Sequence, residues 1–219
     1  MAKFFRDNGL TIALMLLFLG SLLGHWIAGA HFQNQELVHH GQQPISAIAF
    51  LRDPLFLSTV FENWESEFLQ MSAFVFLTAV LYQKGSAESE DPDKGPRDGR
   101  LGLISRNPSA RAPLRKGLVV RWIYAHSLGI ALFILFIGSF TLHWLFSARE
   151  AAHEAAMHGK VAESLGQYLT SSQLWFESFQ NWQSEFLSTA VLVILSIWLR
   201  QKDSPESKPV TAPHSQTGA

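Results

Sequence analysis

The chain of 219 residues carries 17 Lys and Arg and 18 Asp and Glu, so its formal net charge at pH 7 is −1. This balance gives no reason to expect nucleic-acid binding. The sequence has no cysteine, which excludes disulfides and thiolate metal sites.

Apolar residues are collected into blocks that polar segments separate. Leu10–Ala30 and Trp122–Ala148 contain no Asp, Glu, Lys or Arg. Each block reaches the roughly 20 residues that a helix needs to span about 30 Å of hydrocarbon. Two shorter apolar runs, Phe68–Tyr82 and Phe186–Leu199, are long enough only if the polar residues before them also enter the membrane.

In chain order, the pattern predicts a first helix over Asn8–Ala30. A polar loop follows over His31–Val60, with two prolines as breakers and a short helix at Gln33–His40. We expect the second helix to begin near Phe56–Phe61 and to end near Gln83.

The second half of the chain repeats this order after a polar segment. Gly85–Lys116 is charged and rich in Pro, Gly and Ser, a composition that cannot bury a core and predicts a disordered linker. The third helix is expected over Val119–Ser147 and the fourth over Trp175–Arg200, with a helical segment at Glu150–Gly159 between them.

The two halves are copies of one another. FENWESEFLQ at Phe61–Gln70 returns as FQNWQSEFLS at Phe179–Ser188, 118 residues later. At the same offset, 10 of 17 residues from Leu10 are identical, and so are 15 of 29 from Phe61. We infer a tandem duplication and predict an all-α membrane protein of four transmembrane helices in two parallel two-helix repeats. The predicted division is 1–84 for the first repeat, 85–116 for a disordered cytoplasmic linker, 117–202 for the second repeat and 203–219 for a disordered cytoplasmic tail.

The start of the chain also has the features of a secretory signal, with Lys3, Arg6, an apolar run and a small-residue site at Ala28–Ala30. The matching segment Leu128–Ala148 lies in mid-chain, where it cannot be a signal peptide, so we interpret both segments as membrane helices. Lys and Arg are concentrated in the termini and the linker and are rare in the two inter-helix loops, which predicts cytoplasmic termini. Anionic lipid headgroups are a candidate ligand of the linker through Arg106, Arg111, Arg115 and Lys116.

Polar side chains recur at the same depth in both copies. Asn63, Ser66 and Glu67 have the i, i+3, i+4 spacing of one helix face. We expect His25 to reach Glu67, and the corresponding pair to form in the second copy. A carboxyl group inside a membrane is costly and therefore indicates a function, although the same residues also suit the start of a helix, which they would cap. The predicted intramembrane cluster is His25, Asn63, Ser66, Glu67, His143, Asn181, Ser184 and Glu185, with Trp26, Trp64, Trp144 and Trp182 as interfacial anchors.

Two further arrangements involve histidine. Glu36 and His40 have i, i+4 spacing, and Glu154 and His158 repeat it, which suits a divalent metal and equally suits a surface hydrogen bond. His25 and His143 lie at equivalent depths and could together ligate a haem. The sequence predicts no obligatory cofactor and leaves a haem or a metal open.

The motifs FENWESEFLQM, FQNWQSEFLS and the N-terminal FFRDNGL resemble an uncharacterised family of bacterial integral membrane proteins, catalogued as a domain of unknown function. The resemblance covers nearly the whole chain apart from the linker and the tail. It implies a multi-pass protein of the bacterial inner membrane and implies no activity.

The sequence has no P-loop, nucleotide-binding glycine motif or nucleophile elbow. We therefore expect a non-enzymatic binding or assembly role in the lipid bilayer, with a second copy or another membrane protein as partner. The first alternative is a small proton- or cation-conducting transporter or channel that uses Glu67 and Glu185. The second is a haem- or metal-binding redox protein that uses His25 and His143.

Overall fold

The computed structural model of the chain describes residues 2–90 and 117–218. Within these residues the chain forms seven α-helices and no strand, which confirms the all-α prediction. Residues 91–116 of the predicted linker lie outside the described residues, and so do the basic side chains suggested for headgroup binding. The helices are α1 (Ala2–His39), α2 (Ala47–Phe50), α3 (Pro54–Thr78), α4 (Leu118–Ala125), α5 (Ser127–Met157), α6 (Leu165–Tyr168) and α7 (Ser172–Trp198).

The first helix is longer than predicted. α1 continues from the first apolar block through the short helix expected at Gln33–His40, because no glycine or proline lies between His31 and His40 to interrupt it. α5 likewise continues into the helical segment expected after Glu150. The predicted third helix is divided at His126, where φ −110° and ψ 9° leave the helical region and separate α4 from α5.

Two of the described helices, α1 and α5, are long and apolar enough to cross a membrane. Each contains an 18-residue window of mean hydropathy 2.0, of which none is buried in α1 and 22% in α5. α3 and α7 do not reach this level, because the repeated polar motif lies within them and lowers their hydropathy.

The described residues form two compact units. The first unit holds the chain up to Val60 together with Leu142–Leu165, and the second holds the remaining described residues. In the first unit, Phe50 of α2 is 1% exposed and its ring centroid lies 5.4 Å from that of Phe56. Phe50 also packs on Gly29 of α1, where a Cβ would lie 2.8 Å from the ring. Glycine at position 29 therefore allows α2 to pack closely on α1.

Within the first unit, two hydrogen bonds recur with the spacing of the sequence repeat. The indole Nε1 of Trp26 donates to the carbonyl of Ala47 at 2.7 Å, and that of Trp144 donates to the carbonyl of Leu165 at 3.1 Å. Each bond ties a long apolar helix to the first residue of a four-residue helix, α2 or α6. Trp26 and Trp144, two of the four tryptophans predicted as interfacial anchors, thus hold the segments that follow their helices.

In the second unit, the end of the chain packs beside the residues that follow α3. Residues 203–218, for which composition predicts disorder, form successive turns. The side chain of Lys208 is 1% exposed, and its Nζ donates to the carbonyls of Gly85 at 2.5 Å, His214 at 3.0 Å and Gln216 at 2.9 Å. These bonds join the tail to Gly85, at the predicted start of the linker.

Candidate functional site

The repeated motif lies inside two long helices. α3 begins at Pro54 and α7 at Ser172, so seven helical residues precede each motif. The N-terminal caps are Asp53, whose Oδ1 accepts from the amide of Leu55 at 3.0 Å, and Ser171. The alternative in which the Asn, Ser and Glu of the motif cap the start of a helix is therefore wrong, because they lie in the helix interior.

In the second unit, the two copies of the motif are joined by side-chain hydrogen bonds. Asn181 Nδ2 donates to Glu62 Oε1 at 2.5 Å, and Trp182 Nε1 donates to Glu65 Oε1 at 2.8 Å. Glu65 is fully buried. The first copy thus supplies the acceptors and the second copy the donors, and we name these four residues the motif clamp.

Aromatic rings surround the tryptophan of the motif clamp. The ring centroid of Trp182 lies 5.3 Å from Phe179, 6.2 Å from Trp175 and 6.3 Å from Phe136, each in an edge-on arrangement. Such rings exclude water and lower the local dielectric, which strengthens a hydrogen bond between buried groups. The bond to Glu65 therefore lies in an apolar setting, where leaving either group without a partner is costly.

Polar contacts between α3 and α7 continue beyond the motif clamp. Gln70 Nε2 donates to Thr189 Oγ1. Past the end of α3, the hydroxyls of Ser86 and Ser196 are 2.9 Å apart. Within the second unit, side-chain hydrogen bonds thus join α3, and the residues that follow it, to α7, and such bonds hold helices together where water is absent.

The serines of the predicted cluster bond to their own helices. Ser66 Oγ donates to the carbonyl of Asn63 at 2.9 Å, and Ser184 Oγ donates to that of Asn181 at 2.8 Å. This i to i−3 bond is the usual way in which a helical serine satisfies its hydroxyl. The side chain of Asn63 is exposed, whereas its counterpart Asn181 belongs to the motif clamp.

The two shared glutamates of the motif both lie in the second unit. Glu67 is exposed and Glu185 is half-buried. Their carboxyl groups are close enough to interact electrostatically. The proton- or cation-conducting alternative uses these two glutamates, so their proximity is relevant to it.

The hydrogen-bond partner of His25 is Thr59, whose Oγ1 lies 3.1 Å from His25 Nε2. Thr59 precedes Glu67, the predicted partner of His25, by eight residues in α3, or roughly 12 Å along the helix axis. The threonine hydroxyl donates to the carbonyls of Leu55 and Phe56, both at 3.0 Å. Either group can donate in the contact between Thr59 and His25, depending on the imidazole tautomer. Nε2 of His25 thus has a hydrogen-bond partner within the protein.

Two other predicted residues, His143 and Trp64, are wholly or partly buried. His143 is fully buried. Trp64 lies in edge-on contact with Phe61, with ring centroids 5.5 Å apart.

The predicted loop histidines come together in the first unit. One ligand atom from each of Glu36, His39 and His40 lies within 4.8 Å of the others. The ring centroid of His158, predicted as a ligand in the second copy, is 5.7 Å from that of His40. Glu154 contributes its backbone carbonyl, which lies 2.9 Å from His158 Nδ1.

Three residues that the sequence reasoning missed are Glu62, Glu65 and Thr59. Their positions in the second copy hold Gln180, Gln183 and Glu177. The prediction selected residues that are identical in both copies, whereas these contacts use positions at which the copies differ. For Glu62 and Glu65, the available signal was that the equivalent position of the other copy holds a glutamine instead of a glutamate.

The fold and the site define an all-helical protein with two helices able to cross a membrane and a hydrogen-bonded polar motif in two further helices. Residues 1–219 match the model of the family described as "Domain of unknown function (DUF6766)", and the chain belongs to this family. No curated protein and no solved structure matches the chain.

Proposed function

We propose that this chain is an integral protein of the bacterial inner membrane with a non-enzymatic assembly role. The observation that carries the proposal is the hydrogen bond from Trp182 to the buried carboxyl group of Glu65. A carboxyl group in a membrane segment is costly unless it has a partner. In the motif clamp the polar side chains partner one another, which suits residues that hold helices together and fix a surface for a second copy or another membrane protein.

The proposed membrane architecture has four spans in two parallel repeats, formed by α1, α3, α4–α5 and α7. Support comes from the sequence repeat at an offset of 118 and from the matching bonds of Trp26 and Trp144. Neither α3 nor α7 contains an 18-residue window as apolar as those of α1 and α5, and the motif clamp lowers the cost of their polar residues by pairing them. The Lys and Arg distribution favours cytoplasmic termini.

Labelling of single cysteines tests this topology, because the chain has no native cysteine. We expect Gln43→Cys and Val161→Cys to react with a membrane-impermeant maleimide in intact spheroplasts. Asp7→Cys and Ser204→Cys should react only after permeabilisation. External labelling at Asp7→Cys or Ser204→Cys would contradict cytoplasmic termini, and lack of labelling at Gln43→Cys or Val161→Cys would contradict four spans.

The assembly role is tested with the protein in lipid nanodiscs. Glu65→Leu removes the acceptor of Trp182, whereas Glu65→Gln keeps an acceptor of similar shape. We expect Glu65→Leu to lower both the unfolding temperature and the fraction of oligomer or partner complex in native mass spectra, and Glu65→Gln to retain them. Equal stability and equal assembly in all three proteins would overturn the proposed role of the motif clamp.

The second candidate function is conduction of protons or cations through Glu67 and Glu185. It is favoured by the electrostatic interaction between these two carboxyl groups, since adjacent acidic groups are a common feature of proton and cation pathways. In liposomes with an internal pH dye, this alternative requires flux through the parent that Glu67→Gln with Glu185→Gln abolishes while the fold is retained. The assembly role expects the parent and the double variant to match empty liposomes.

A further inference from the structure

We propose that Glu36, His39 and His40, together with His158, form a binding site for a divalent transition metal, with zinc as the best match. This site lies at the C-terminal ends of α1 and α5 and does not include any residue of the motif clamp. Glu36 and His39 lie in the last turn of α1, His40 follows the end of α1, and His158 follows the end of α5.

The spacing of the three ligands is close to that of a metal centre. One ligand atom from each of Glu36, His39 and His40 lies within 4.8 Å of the other two. Tetrahedral zinc with bonds of about 2.0–2.1 Å holds its ligand atoms roughly 3.3 Å apart. All three side chains are exposed, so rotation about their side-chain bonds can close the remaining distance without displacing the helix.

His158 is oriented as metal-binding histidines usually are. Its Nδ1 lies 2.9 Å from the carbonyl oxygen of Glu154. A carbonyl only accepts, so Nδ1 carries the hydrogen and Nε2 keeps its lone pair. A backbone carbonyl that fixes the ring in this way is the common outer partner of a metal-bound imidazole. The ring centroids of His158 and His40 are 5.7 Å apart.

The backbone holds both histidines at helix ends of the same form. Gly41 follows His40 with φ +70°, and Gly159 follows His158 with φ +64°. In each case the next amide bonds back into the helix at 2.8 Å, as in a Schellman cap. These caps restrict the backbone at His40 and His158. Metal binding therefore removes less conformational entropy than it would from a flexible backbone.

The ligand set selects the metal. Three imidazoles and one carboxylate suit zinc and, next, copper or nickel, whereas magnesium and calcium prefer oxygen ligands. The site should therefore bind borderline transition metals in preference to magnesium or calcium. It does not depend on His25 or His143.

The experiment uses the full chain, purified in mild detergent through a tag without histidine and stripped with chelator. Zinc chloride is titrated against a competing zinc dye, and zinc per chain is counted by mass spectrometry after desalting. We expect about one zinc per chain in the parent. His40→Gln and His158→Gln should each weaken binding by about tenfold or more. Magnesium chloride should not compete.

His126→Gln is the matched control, because His126 lies between α4 and α5 in the second unit and its Nδ1 bonds to the carbonyl of Trp122. This variant should bind zinc like the parent. Unchanged circular dichroism confirms that the variants fold, and zinc should raise the unfolding temperature of the parent more than that of His40→Gln. Absence of binding by the parent, or parent-like binding by His40→Gln or by His158→Gln, would overturn the proposed site.

Discussion

The indole nitrogen of Trp182 lies 2.8 Å from a carboxyl oxygen of Glu65, and Glu65 is fully buried. An indole N–H can only donate, so this contact has one direction and needs an acceptor. The second copy of the motif has Gln183 at the position of Glu65. The two copies are thus alike in their tryptophans and differ at the position of Glu65, which accepts the bond from Trp182.

Replacing Glu65 should separate the effect of the hydrogen bond from that of charge. We expect Glu65→Leu to lower the free energy of unfolding by about 1–3 kcal/mol, because it leaves the Trp182 donor without this acceptor. Glu65→Gln should cost less than about 1 kcal/mol, since its amide oxygen still accepts. Reversible unfolding in mixed detergent measures both values. If Glu65→Gln lowers the free energy of unfolding as much as Glu65→Leu does, the stabilisation comes from the charge of Glu65 and not from its acceptor oxygen.

A double-mutant cycle tests the pair directly. Trp182→Phe keeps an aromatic ring among Phe136, Trp175 and Phe179 and removes the donor. We expect a coupling energy between Glu65→Leu and Trp182→Phe of about 0.6 kcal/mol and at most about 1.7 kcal/mol, the average and the maximum measured for hydrogen bonds between membrane helices. Additive effects would show that the two residues stabilise the protein independently.

The bonds of Trp26 and Trp144 should contribute similar amounts to stability. We expect Trp26→Phe and Trp144→Phe each to lower the unfolding free energy by about 0.5–1.5 kcal/mol. Each change removes an indole donor and leaves the carbonyl of Ala47 or Leu165 without this hydrogen bond. Trp198→Phe serves as the control, since Trp198 is 54% exposed near the end of α7. An equal loss in all three variants would point to ring size instead of the hydrogen bond.

The sequence predicted the helical regions better than the contacts between them. The absence of a breaker between His31 and His40 made the extension of α1 foreseeable, and Gly41 marks its end. The spacing of Asn63, Ser66 and Glu67 correctly placed them on one helix. Helical spacing does not determine which face meets a neighbour, so Glu65 was missed although it lies within the motif.

The pairing of His25 shows a second limit. Estimating depth from helix length placed it beside Glu67, but α3 begins at Pro54, and this earlier start brings Thr59 to His25. The contact of His25 thus lies about two helical turns before the predicted one, and helix boundaries are the part of a sequence-based prediction that varies most.

Glu88 should make stability depend on pH. Burial raises the pKa of Glu88, and the nearby Glu206 raises it further through charge repulsion and a hydrogen bond. The folded state therefore holds the proton more tightly than the unfolded state, whose pKa is near the ordinary 4.5. Stability should fall as pH rises from about this value through the raised pKa of the folded state, and then stay level.

Glu88→Gln tests this dependence because it mimics the protonated form. We expect its unfolding temperature to exceed that of the parent at neutral pH and to lack the fall described above. Glu163→Gln is the control, since Glu163 is exposed, and it should follow the parent. Thermal unfolding from pH 4 to 8 measures the effect, and parallel curves for Glu88→Gln and the parent would contradict it.

Lys208 should hold the tail in its ordered form. Its ammonium group donates to the three carbonyls of Gly85, His214 and Gln216, and it is almost fully buried. The amide of Gly85 in turn bonds to Thr217 Oγ1 at 2.9 Å. We expect Lys208→Ala to lower hydrogen-exchange protection of peptides from 85–89 and 209–218 by about tenfold or more, because loss of the ammonium leaves these carbonyls without their shared donor.

Lys202→Ala provides the matched control, since Lys202 is exposed in the same segment, and it should exchange like the parent. If peptides from 209–218 exchange at the rate of an unfolded chain already in the parent, the tail is disordered as its composition predicts, and Lys208 does not order it. If they are protected equally in the parent and in Lys208→Ala, other contacts order the tail. Protection that is lost only in Lys208→Ala would assign its order to the buried ammonium.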